Sequence, residues 1–155
     1  MADLEGIVFR KLEAGDIKRF VQLRKRQLLE NENEEVTCDI TDSLTEYCIR
    51  HLKTGTFISW VATHNEIIIA TSGMCVAEKP PYYKNPTGRI GIISSMYTVP
   101  EYRRRGIAKK LLGLAIYEAE RQNCGVIQLT STEQGAFLYE SFGFERNKNF
   151  FFYDL

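Results

Sequence analysis

Between Arg89 and Thr130 the chain reads strand, helix, strand, and that order limits the sheet it can build. Arg89–Val99 is rich in β-branched residues and is closed by Pro100. From about Gly106 to Gln122, Ile107, Leu111, Ala115 and Ala119 form one row and Ala108 and Leu112 the next, the spacing of an amphipathic helix. Asn123-Cys124-Gly125 ends it, and Val126–Thr130 reads as a strand again. Two strands joined through a helix lie parallel, because the crossover carries the chain back to the end where the first strand began.

The chain before Arg89 imposes the opposite order. Ile7–Lys11 is a short β-prone run stopped by Ala14-Gly15-Asp16, with Asp16 placed to cap the following helix. Ile17, Phe20, Val21, Leu23, Leu28 and Leu29 recur near helical spacing, and the helix should fade in the polar stretch Glu30 to Glu35. A second helix is expected from about Ser43 to Lys53, with Gly55 as its stop. Thr56–Thr63 and Ile67–Val76, joined by His64-Asn65-Glu66, read as a hairpin, with Gly73 marking a bulge. After Thr130 come a helix at Glu133–Phe142 and a final strand at Phe150–Tyr153. Residues 1–155 should therefore form a single α+β domain. Its sheet is mixed and mostly antiparallel, flanked by helices, and turns to parallel order near Arg89–Val99. Ligands favour the gap where such strands part.

Composition narrows the function. The 155 residues are 44% apolar and 26% charged, and the formal net charge is zero, which argues against a nucleic-acid partner. Neutrality still leaves room for one local anion site at Arg103, Arg104 and Arg105. The four cysteines are scattered, without metal-ligand spacing, and read as free thiols packed as small hydrophobes; no metal is expected. No run approaches the ~20 apolar residues of a membrane span, and the N-terminus lacks a signal-peptide core, so no membrane partner and a cytoplasmic location are expected.

The segment Met96–Lys109 is strand, turn and helix start. A helix N-terminus carries unpaired N–H groups and a partial positive charge of roughly half a unit, so a diphosphate placed there meets several donors at once. Gly106 lets the backbone approach such a ligand, Ala108 is small enough for the helix to lie close, and the arginines add charge-assisted bonds.

At this point the sequence resembles the GNAT superfamily of acyl-CoA-dependent N-acetyltransferases. The turn Arg103-Arg104-Arg105-Gly106-Ile107-Ala108 matches the family's Gln/Arg-x-x-Gly-x-Gly/Ala signature. The likeness continues upstream in Met96–Tyr102 and downstream in Leu138-Tyr139-Glu140-Ser141-Phe142-Gly143-Phe144. It covers about residues 89–144, the expected acetyl-CoA core.

The resemblance implies acetyl-CoA as co-substrate, with its diphosphate on Arg103, Arg104, Arg105, Gly106, Ile107, Ala108 and Lys109. Its amide-bearing arm would pair with the backbone of Met96, Tyr97 and Thr98 on a strand that splays from its neighbour. Tyr139 matches the family's general acid, protonating the departing thiolate after an amine attacks the thioester. Thr132 stands where relatives often carry Asn, three residues before Gly135, and both are expected near the cofactor. The splayed strand lacks the carboxylate that many relatives use as base. A water chain, a relay through Ser94 or Ser95, and an acid from Glu30–Glu35 all stay open. The acceptor, a small-molecule or peptide amine, is expected to enter between the two N-terminal helices and the loop Glu78–Gly88. A homodimer is left open. The alternative is an idle module of the same fold that senses acyl-CoA.

Overall fold

The computed structural model describes residues 4–31 and 35–155. β1 (Ile7–Lys11) leads through a 3-10 turn (Ala14–Asp16) into α1 (Ile17–Asn31), and α2 (Thr41–Thr54) follows. β2 (Phe57–His64), β3 (Ile67–Glu78) and β4 (Arg89–Thr98) come next. A 3-10 turn at Pro100–Tyr102, α3 (Ile107–Arg121), β5 (Val126–Leu129) and α4 (Glu133–Ser141) complete the order. The strands form one five-stranded sheet in sequence order. Every pair is antiparallel except β4–β5, which is parallel, as the crossover through α3 requires.

Local chemistry explains the boundaries. Asp16 caps the 3-10 turn rather than α1: its carboxylate accepts the Glu13 N–H at 2.8 Å and two bonds from Arg10 at 2.6 and 2.9 Å. Gly55 ends α2 in the left-handed region at φ 72°. Asn65 and Glu66 have φ of 50° and 65°, the two left-handed positions of a tight hairpin turn. The acidic stretch after α1 falls partly outside the described residues, at 32–34.

The sheet is covered on both faces. On one side Phe57 of β2 meets Phe20 of α1 and Tyr47 of α2, each with ring centroids 5.5 Å apart. On the other side α3 brings Leu112, Ala115 and Ala119 against Met74 and Ile93. Lys11 of β1 reaches the same helix, its ammonium 3.0 Å from the buried Glu118 carboxylate. Burial opposes ionisation of Glu118, but Lys11 and Gln122 outweigh it and hold the carboxyl below its ordinary range.

Two expectations need correcting here and one is refined. The strand at Phe150–Tyr153 does not form; those residues lie outside any ladder and are exposed. The chain leaves α4 beside that helix, where Arg146 pairs with Glu140 at 2.7 Å and Glu133 at 3.5 Å, and the aromatic run finds no strand to pair with. Cys38 is exposed rather than packed, whereas Cys48 is buried, with its thiol pushed up to about 11 by burial. The irregularity expected at Gly73 is there, with the extra residue on the facing strand β4: Thr71 faces Tyr97 and Gly73 faces Ser94, so Ser95 and Met96 stand opposite Ser72 alone. Gly73 makes room for it, since a Cβ there would lie 2.9 Å from the Phe57 ring and 3.2 Å from Ser95 Cβ.

Candidate active site

The bulge determines where the sheet opens. β4 pairs with β5 only from Ile90 to Ile93; β4 then continues through Ser94–Thr98 with no partner on that side, while β5 ends at Leu129. Ser95 holds φ 57°, a conformation a β-carbon disfavours, and Thr71 Oγ1 steadies it by donating to Ser95 C=O at 2.7 Å. The Val99 N–H donates to Ile69 C=O at 2.9 Å, so antiparallel alternation directs the main-chain groups of Tyr97 toward β3 and those of Met96 and Thr98 toward the opening. The carbonyls on that rim are met by side chains: Gln27 Nε2 donates to Met96 C=O at 3.1 Å, and Arg103 Nε to Thr98 C=O at 2.8 Å.

Both parallel strands release their chains at this end. After β4 the turn passes through two left-handed residues, Arg104 at φ 64° and Gly106 at φ 87°, the second being the N-cap of α3. Successive amides in such a turn converge on a concavity suited to an anion. The first helical bond runs from Lys110 N–H to Gly106 C=O at 3.1 Å. The N–H groups of Ile107, Ala108 and Lys109 thus have no partner among the described residues, and neither do those of Arg104, Arg105 and Gly106. This donor set fits a diphosphate, and Gly106 keeps the approach clear.

The three arginines do different work. Arg103 turns inward, bonded to Glu30 Oε2 at 2.9 Å and lying over the Tyr97 ring. Arg105 stacks on Tyr102 with 5.1 Å to the ring centroid. Arg104 is exposed and has no partner among the described residues.

After β5, Thr132 caps α4 by accepting the Gly135 N–H at 3.2 Å. A Cβ on Gly135 would lie 3.1 Å from Ser131 Oγ and 3.4 Å from Tyr139, so a small residue is required beside that tyrosine. Tyr139 and Met96, from opposite arms of the opening, pack against one cluster around Ile93, Leu112 and Ala115. The Tyr139 hydroxyl has no partner among the described residues, and burial raises its pKa.

One acid from the polar stretch reaches this site. Both Glu30 oxygens accept from the Tyr97 hydroxyl at 2.9 Å, and Arg26 and Arg103 add bonds of 2.7 and 2.9 Å. Burial works against the charge on Glu30, but Arg26, Arg103 and Tyr97 together hold the carboxyl below its ordinary range. Ser95 is buried within the bulge, 3.5 Å from Ser94 by their hydroxyls.

The loop Glu78–Gly88 is not part of this opening. It joins β3 to the other end of β4, where Thr87 Oγ1 donates to Asn123 C=O at 2.9 Å and Arg89 Nε to Gln122 C=O at 2.7 Å. Buried Asn85 fills the space against Gly125, whose Cβ would lie 2.0 Å from Asn85 Oδ1. The expected acceptor entry beside this loop is therefore corrected: the loop is locked behind α3, several residues along β4 from the bulge. Among the described residues no group of His, Cys, Asp and Glu could hold a metal ion, and no helix is long and apolar enough to cross a membrane.

A parallel pair that parts at a bulge, with an anion-ready helix N-terminus on one arm and a half-buried tyrosine on the other, is the architecture of an acyl-CoA-dependent transferase. Comparison with known proteins agrees. The model of the acetyltransferase (GNAT) domain matches residues 55–146, and the chain belongs to that family. N-alpha-acetyltransferase 30 of Saccharomyces cerevisiae is 29% identical over 154 residues, covering 96% of this chain and 82% of the yeast protein. The crystal structure of a predicted acetyltransferase from Clostridium acetobutylicum with acetyl-CoA superposes with a TM-score of 0.90 at 35% identity, covering 96% of each chain. A GCN5-related N-acetyltransferase from Ralstonia eutropha shares the fold, with a TM-score of 0.83 at 24% identity and coverage of 96% and 99%. The chain is an acetyl-CoA-dependent acyltransferase, with acetyl-CoA as co-substrate.

Proposed function

We propose that the whole chain, residues 1–155 with a cofactor core at 89–144, acts as one unit that acetylates a primary amine by direct attack, and that this amine is the N-terminus of a peptide or protein. One observation carries the transfer reading: β4 leaves β5 after Ile93 and runs, open-edged, to a helix start whose amides lack partners. The diphosphate of acetyl-CoA would lie against the N–H groups of Arg104–Lys109, with Arg104 free to add a charge-assisted bond. Its amide-bearing arm would follow the rim at Met96 and Thr98, with Tyr97 behind it, and reach Thr132 and Gly135 on the far arm.

Acetyl-CoA supplies the thioester that the amine attacks. Tyr139, like any phenol, keeps its proton at neutral pH, burial favours that neutral form further, and a neutral phenol is the form that protonates a departing thiolate. Glu30 is a poor base, since two guanidinium groups hold it ionised; its part is to orient Tyr97 and Arg103. The proton lost by the amine is left to water. The peptide acceptor draws its support from the name of the yeast relative, which matches nearly the whole of this chain. The absence of disulfides among its four cysteines agrees with a cytoplasmic setting.

The test is thiol release from acetyl-CoA with a panel of peptides of varied N-terminal residue, N-blocked lysine peptides and polyamines. Turnover confined to free peptide N-termini is expected. Turnover only with side-chain or polyamine nitrogens would overturn the acceptor, and cofactor binding without thiol release for any amine would overturn the transfer.

A further inference from the structure

Two buried polar side chains reach the bulge of β4 from different elements, and neither has a part in holding the diphosphate or in acid catalysis. Thr71 of β3 is 1% exposed and Gln27 of α1 is 8% exposed. Burying a hydroxyl or an amide costs free energy unless it is bonded, so their partners show what they hold. Thr71 Oγ1 donates to Ser95 C=O at 2.7 Å, and Gln27 Nε2 donates to Met96 C=O at 3.1 Å. The two bonds fall on consecutive peptide groups, one on each side of Met96. Arg24 Nη1 donates to Gln27 Oε1 at 3.0 Å, which fixes the amide with its nitrogen toward Met96; the reversed amide would set oxygen against oxygen.

The Ser95–Met96 peptide is trans, so its N–H points opposite to its carbonyl. Thr71 draws the Ser95 carbonyl toward β3, and the Met96 N–H is thereby turned to the opening beyond the last β5 pair. Met96 has no register partner on β3 or β5, and its N–H meets no acceptor among the described residues. A left-handed backbone at Ser95, with φ 57°, is disfavoured for a residue with a β-carbon and needs such outside support. We propose that Thr71 and Gln27 are positioning residues for acetyl transfer: from the two flanks of Met96 they hold its N–H against the acetyl oxygen of the donor. This rests on the acetyl-CoA site proposed for the same opening. As the amine nitrogen bonds to the acetyl carbon, the carbonyl π pair moves onto oxygen; it returns when the C–S bond breaks and the thiolate takes its proton. A donor already aimed at that oxygen stabilises the charged stage without having to reorganise. The Thr71 bond also polarises the Ser95–Met96 peptide, which makes its N–H a stronger donor.

Infrared spectra of acetyl-CoA, isotopically labelled at the thioester carbonyl and bound to the full chain, read this contact directly. The parent should shift the carbonyl stretch below its frequency in water. Thr71→Val, which keeps the shape and removes the hydroxyl, and Gln27→Met should each move it back, and Thr71→Ser should restore the parent value. In thiol release, kcat should fall about ten- to a hundredfold for Thr71→Val and Gln27→Met, less than the ~10²–10³ that loss of an oxyanion donor itself costs. KM for acetyl-CoA and the calorimetric affinity for coenzyme A should stay unchanged. Coenzyme A lacks the acetyl oxygen, so its affinity separates this role from damage to the fold or to the cofactor site. An unmoved carbonyl frequency in both variants, a fall in coenzyme A affinity as large as the fall in kcat, or a Thr71→Ser chain no better than Thr71→Val would each overturn the proposal. Gln27→Met keeps the test decisive where Thr71→Val does not fold. A parent chain that binds no acetyl-CoA would overturn the cofactor site itself, and this proposal with it, so the two failures are told apart.

Discussion

The two halves of the sheet are built on opposite terms. In β2 and β3 most residues are buried, the strands are paired on both edges, and helices cover both faces. In the half that holds the end of β4 together with β5, one edge opens after four paired residues, β5 is half-exposed throughout, and amide groups at the α3 start lack partners. The N–H groups at the start of α3 are those any helix leaves unpaired, and here they stand beside the opening between β4 and β5. The antiparallel half is scaffold, and the parallel half is where the proposed acetyl-CoA site lies.

That contrast is sharpest at Tyr139. Replacement by Phe should lower turnover by about 10²–10⁴-fold, the usual scale of acid catalysis, while calorimetry of coenzyme A binding and the melting temperature stay close to the parent. Retained turnover would remove Tyr139 from the chemistry.

Leu112→Ala, at a fully buried position on α3, should do the reverse. It should cost about 2–5 kcal/mol of stability in denaturant titration, with the cofactor affinity of the folded fraction little changed. Gly106→Val then tests the open side through the backbone. A β-branched residue forced to φ 87° is disfavoured by about 1–3 kcal/mol, so coenzyme A binding should weaken roughly ten- to a hundredfold as the turn rearranges. Unchanged affinity there would end the phosphate assignment.

The smallest effect is expected at Lys11→Met, which leaves the Glu118 carboxylate buried without its cation. Because Lys11 is partly exposed and screened, the loss should be about 1–2 kcal/mol at neutral pH. The sign of the pH effect follows from the lowered folded pKa of Glu118. Its contribution is fully present above the unfolded value and is lost as pH falls through the folded one, so the acid limb of the parent stability curve should be steeper than that of Lys11→Met.

Much of this division was legible in the chain. The helix row from Ile107 to Ala119, the hairpin at Asn65 and the stop at Gly55 follow from periodicity and turn chemistry, and the structure holds all three. The turn into α3 was legible because its geometry is local: glycine, small residue and helix start lie in one short stretch. What could not be read is whatever depends on distance across the fold. Gln27 interrupts the apolar row of Phe20 and Leu23, which is a signal, but its bond to Met96 C=O spans 69 positions. The inward turn of Arg103 depends on Glu30, a residue of another element. The aromatic run Phe150–Tyr153 has the composition of a strand, yet strand formation needs a partner, and a single copy leaves that segment without one.

Arg103 has a further consequence. Its guanidinium joins the start of the phosphate turn to Glu30 at the end of α1 and, through Glu30, to Tyr97. One cation therefore bridges the turn and the end of α1, and a pull on it toward an anion at the proposed site would slacken its hold on the carboxylate. With the diphosphate at the proposed site, loading of the acyl donor would be linked to the position of Glu30 and Tyr97, and initial-rate patterns would register such a link as a fixed order of addition.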